Sequence, residues 1–173
     1  MNRFLKFALT LILTLVFSSN YAYSQIVSDS PSYIGATIFY PQELNANIQT
    51  STATYALFER SYTNHMGDMM LDVTVFTERS FDDDMILWLS TQYVDTCQEL
   101  AGGGRNIAYK SFNQKNKFFI ISWSYRGQGY YFRSQLKGNT VYMWTLSWDM
   151  TDKEVHKRAQ QYLDNRYIYF QWQ

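Results

Sequence analysis

The chain is poor in the residues that most often carry chemistry. Cys97 is its only cysteine, so no internal disulfide can form in any compartment. His65 and His156 are its only histidines. A structural zinc site takes four Cys or His ligands, and the chain holds three such residues, far apart. Charge of one sign is missing too: 15 Lys and Arg balance 15 Asp and Glu, which gives no electrostatic case for nucleic acid or an anionic membrane surface. There is no Gly-x-Ser-x-Gly elbow for a nucleophilic serine. Gly102–Gly104 is not followed by Gly-Lys-Ser/Thr, and Arg105 opens a strand pattern, so this is a flexible connection and not a phosphate loop. The residues therefore nominate no catalytic side chain, cofactor or metal.

Long apolar runs are also scarce. The longest, Phe7 to Phe17, is far short of the roughly 20 residues that span a bilayer. Arg3 and Lys6 precede or flank it, and Ala22 and Ser24 are small residues placed for cleavage before Gln25. This pattern predicts a secretory signal peptide over 1–24, which gives a periplasmic or secreted protein touching the membrane only through that segment. No cysteine stands at the cut to be lipidated. No repeat, charge block or linker divides 25–173, which reads as one domain with a formal charge of −2.

What the chain has in quantity is aromatic residues, 18% of the total. Many fall in strand patterns. Ala36–Tyr40 is a short β-prone run stopped by Pro41. Thr54–Arg60 and Leu71–Glu78 flank the turn composition Asn64–Asp68 and predict a hairpin. Ile107–Phe112, Lys117–Tyr125, Tyr130–Leu136 and Thr140–Trp148 are separated by short Gly/Asn-rich loops, which predicts a four-stranded antiparallel meander. Two helices are expected. One runs from about Asp83 to Gln98, capped by Asp82–Asp84, with Met85, Trp88, Leu89, Tyr93 and Cys97 as its apolar stripe. The other opens on Thr151-Asp152-Lys153-Glu154, read as a capping box with Thr151 at the cap, and turns Val155, Ala159, Tyr162 and Leu163 inward. Residues 26–32 read as an extended lead-in and Tyr167–Trp172 as an aromatic edge strand. The fold class is α+β: an antiparallel sheet of meander and hairpin, packed with two helices on one side and partly covered on the other.

Period-2 alternation puts Tyr142, Trp144, Leu146 and Trp148 on one face of the last strand. With Tyr131 on the neighbouring strand these residues are either core or an exposed platform, and Arg126 and Arg133 are placed to join such a platform. Arg126, Tyr131, Arg133, Tyr142, Trp144 and Trp148 are thus the candidate interface residues. His65 in its turn and His156 beside Glu154, Lys157 and Arg158 read as surface histidines, and Cys97 as a buried structural thiol.

Tyr109-Lys110, Phe119-Ile120-Ile121-Ser122, Tyr130-Tyr131-Phe132-Arg133, the helix Asp152–Arg166 and the early Phe39-Tyr40-Pro41 step resemble a family of exported bacterial domains. That family is similar in topology to the PsbP/Mog1-like α+β sandwich. The resemblance implies the fold and an exported location, and it brings no catalytic residues. The function expected is a non-enzymatic exported binding or accessory domain acting through protein contacts with an envelope partner, immunity-like in one version. The alternative is a cell-envelope hydrolase or glycan-binding module that uses carboxylates among exposed aromatics.

Overall fold

The computed structural model describes residues 25–51, 56–77, 85–164 and 166–173. The expected signal peptide, the first two residues of the run Thr54–Arg60, Glu78 and the Asp82–Asp84 cap lie outside them. The strands are β1 (Ile26–Asp29), β2 (Ala36–Pro41), β3 (Asn47–Thr50), β4 (Phe58–Thr63), β5 (Met69–Thr77), β6 (Asn106–Asn113), β7 (Phe118–Tyr125), β8 (Gln128–Lys137), β9 (Thr140–Asp149) and β10 (Tyr169–Trp172). The helices are α1 (Met85–Gly102) and α2 (Lys153–Tyr162).

The expected hairpin and meander, with the additional edge strand β3, join into one seven-stranded antiparallel sheet in the order β3-β4-β5-β9-β8-β7-β6. The join is β5 against β9, with Val73 opposite Trp144. A second sheet, β1-β2-β10, brings the two ends of the domain together. It packs on one face of the large sheet, here the inner face, with α2 beside it. The inner face carries Leu71, Val73, Val75, Trp144, Leu146 and Trp148, all buried against Ile38, Val155, Ala159 and Tyr162. Each such side chain contributes roughly 1.5–3 kcal/mol by leaving water.

α1 covers the outer face, where Leu89 and Leu100 meet Phe119, Ile121 and Val141. The helices therefore lie on opposite faces and not on one side, because Phe119 and Ile121 point away from the face that β9 fills with Tyr142 and Trp144. The stripe predicted for α1 is the one that packs, although Cys97 is only half-buried within it. The α2 cap is one residue later than the sequence pattern indicates. Asp152 accepts from the backbone N–H of Glu154 at 2.8 Å and Val155 at 3.1 Å. Thr151 instead turns back to Asp149, donating its hydroxyl at 2.6 Å. A carboxylate one position nearer the helix takes the free N–H groups in place of the hydroxyl.

Two polar ties hold the layers in register. Asp29 on β1 accepts from Tyr62 at 2.7 Å and pairs with Arg60, both on β4. Glu43, in the 3-10 turn Gln42–Ala46, accepts the Tyr162 hydroxyl of α2 at 2.5 Å.

Candidate binding groove

The second layer does not cover the whole inner face. It ends at β10 and α2, over β9, so the inward side chains of β8, β7 and β6 extend beyond it. The row Val73–Trp144–Arg133–Ile120 crosses four strands and passes out from under this cover. The next row places Leu71, Leu146, Tyr131, Ser122 and Tyr109 side by side. A β-bulge between Ile107 and Tyr109 adds one residue to the edge strand. It keeps Ile107 on the outer face while Tyr109 lies on the inner one, 54% exposed at the rim.

Two clefts open along this strip. The larger, about 440 Å³, lies between α2 and β6–β8; Tyr109, Ser122, Tyr131, Trp148, His156 and Gln160 are among its lining residues. The smaller, about 210 Å³, lies between β8 and β10 and is lined by Arg133, Gln135, Tyr142, Trp144, Tyr169 and Phe170. The rings of Tyr131 and Trp144 stack at 5.2 Å, one from each cleft, and form the partition between them.

Hydroxyls, an imidazole, amides and one guanidinium are the polar side chains here. Trp148 donates its indole N–H to Nδ1 of His156 at 2.9 Å, so that nitrogen serves as an acceptor. Burial pushes the Tyr131 hydroxyl above its ordinary pKa, so it stays a phenol. Arg133 is the charged residue of the smaller cleft. Its guanidinium lies 4.4 Å above the centre of the Phe118 ring, and burial lowers its pKa. Among the described residues no acidic side chain lines either cleft, so these linings do not supply the paired carboxylates of the hydrolase alternative. Among the described residues no three His, Cys, Asp or Glu side chains cluster to hold a metal ion, and no helix is long and apolar enough to cross a membrane.

The six candidate interface residues divide. Tyr131, Tyr142, Trp144 and Trp148 are 8%, 4%, 2% and 3% exposed. They are core, not an exposed platform, because β2, β10 and α2 cover the face they share; only their edges reach the clefts. Arg133 shares that face. Arg126 does not: it sits in the β7–β8 turn at a φ of 49°, with its guanidinium 5.0 Å over Tyr125 on the outer side. Tyr109, Ser122, His156 and Gln160 were not among the candidates. Alternation alone puts Tyr109 on the face of Ile107, and the bulge that moves it to the face of Ser122 has no local signal in the sequence. His156 is half-buried against Trp148 and is not a plain surface histidine.

The solution structure of cyanobacterial PsbP (CyanoP) from Synechocystis sp. PCC 6803 superposes on this chain with a TM-score of 0.56. It covers 88% of this chain and 95% of its own, at 9% sequence identity. The fold is PsbP-like. No family model and no curated protein matches the chain. The PsbP likeness thus agrees with the topology expected from Tyr109-Lys110 and the motifs after it, and at that identity it speaks for the fold alone.

Proposed function

We propose that the chain is an exported, non-enzymatic binding domain that holds a partner protein in the groove between α2 and the β8–β7–β6 end of the sheet. The observation that carries this reading is the lining of the larger cleft. It joins aromatic edges, hydroxyls, amides and an imidazole, with no acid and no nucleophile paired to a base among the described residues. Such a lining complements a polypeptide segment, which presents apolar side chains and backbone amides. The groove runs beside β6, the edge strand of the sheet among the described residues, and such an edge can pair with an extended chain. The bulge and Lys110 limit unspecific pairing of that edge. Export rests on the signal pattern of residues 1–24.

The test is affinity capture from envelope extracts of the cells that make the protein. Wild type is compared with Tyr109→Glu and Gln160→Arg in the groove and with Ile48→Arg on β3, the opposite edge of the sheet. A partner retained by wild type and Ile48→Arg, and lost from both groove variants, supports the reading. Equal retention by all four contradicts it.

A further inference from the structure

The smaller cleft has a chemistry of its own. At about 210 Å³ it falls below the roughly 300–1,000 Å³ of sites for drug-sized ligands, so it accommodates a single residue. Its apolar walls are fixed in place. Tyr142 donates its hydroxyl to the Ile34 carbonyl at 2.7 Å and meets the Phe170 ring edge-on at 5.1 Å. Trp144 is held by its stack on Tyr131. Tyr169 stacks on Phe39 at 4.8 Å. A ligand group therefore enters a preformed aromatic slot, which lowers the ordering cost of binding.

One positive charge lines that slot. Arg133 is the only charged residue among the described ones that line it, and Gln135 follows two residues on, on the same face of β8. Lys137 continues that face at the rim, its ammonium 5.8 Å from the centre of the Trp172 ring. A guanidinium fork recognises a carboxylate with two parallel hydrogen bonds, and an amide adds a further donor.

We propose that this cleft takes the C-terminal residue of a partner polypeptide, with its carboxylate on Arg133 and Gln135 and its aromatic or large aliphatic side chain against Tyr142, Trp144 and Phe170. A C-terminal residue joins an anionic group and an apolar side chain within the space of one residue, as the lining requires. An internal Asp or Glu carries the anion without the apolar group. The inference rests on the protein-binding reading of the groove and specifies the chemistry of one end of it.

The experiment is an NMR chemical-shift titration of the purified protein with the pentapeptide Gly-Ser-Gly-Ser-Phe, as free acid and as C-terminal amide. The free acid is expected to bind at least tenfold more tightly, to weaken with added salt, and to shift the Trp144 and Arg133 side-chain resonances. Arg133→Gln is expected to bring the acid-to-amide ratio to about one, and Arg133→Lys to retain part of it. The acid–amide comparison on the unaltered protein does not depend on how either variant folds. Equal binding of acid and amide, binding of neither, or a preference that survives Arg133→Gln overturns the proposal. So does 3-phenylpropionate binding as tightly as the peptide, which identifies a small free carboxylate as the ligand. If acid and amide are indistinguishable while Tyr109→Glu still abolishes partner capture, the binding role stands and only C-terminal recognition falls.

Discussion

Trp148 and His156 are joined by a hydrogen bond from the indole N–H to Nδ1, 2.9 Å long, at the foot of the larger cleft. It ties β9 to α2 eight residues later and satisfies the N–H of an indole that is only 3% exposed. An indole N–H buried without an acceptor costs about 1–3 kcal/mol. His156→Leu is therefore expected to lower unfolding free energy by about that amount in urea denaturation. His156→Gln, which returns an acceptor, is expected to recover part of it. If Leu and Gln at this position are equally stable, the bond contributes nothing.

Gly129 stands opposite Trp148 in the β8–β9 ladder, and the indole ring packs closely against it. A Cβ at Gly129 would come within 2.4 Å of two ring carbons. Gly129→Ala is thus an overpacking change, expected to cost about 1–3 kcal/mol and to alter the near-ultraviolet circular dichroism as the indole shifts. A thermal melt and spectrum identical to those of the unaltered protein would show that Trp148 has room to move.

Gly129 also shows where the sequence stops being informative. Its place beside a Gly-rich loop marks a turn, and the alternation of Tyr142, Trp144, Leu146 and Trp148 marks a shared face. Both are local patterns, and both are present in the structure. Whether that face is covered depends on β2, β10 and α2. β2 and β10 pair as Ile38 with Phe170 across most of the chain, and no local pattern specifies such a pairing. The same four aromatics therefore read equally well as core or as platform until the second sheet is in place. The place of His156 is hidden from the sequence for a similar reason. Its charged neighbours Glu154, Lys157 and Arg158 mark a solvated face, but the residue sits at the shoulder of the Val155–Ala159 stripe, where a partner on β9 reaches it. Arg133 was legible as a member of the face; the Phe118 ring beneath it comes from the register of β7 against β8.

The tie between the layers has a signature at alkaline pH. Tyr40 donates to Asn45 at 2.9 Å and packs on Tyr62 with ring centres 4.4 Å apart. Burial, with the Asp29 carboxylate nearby, pushes the Tyr40 pKa up to about 12. Tyr62 is raised as well, by burial first and then by its hydrogen bond to Asp29. In the unfolded chain a tyrosine ionises near pH 10. Both shifts are upward, so the stabilisation is fully present below about pH 10 and is lost as pH rises through the folded values. A phenolate absorbance titration is expected to show a late portion that appears together with unfolding. Tyr40→Phe is expected to flatten the fall of stability above pH 10. An unchanged pH dependence in that variant would place Tyr40 in contact with water.

Site-specific photo-crosslinking in the intact cells tests the binding groove most directly. A photoreactive amino acid is placed in turn at Tyr109 and Gln160, in the groove, and at Ile48, on the far edge of the sheet. The groove reading predicts one discrete adduct, of the same mass, from positions 109 and 160, and none from 48. Adducts from position 48 alone, or from none of the three, would contradict it.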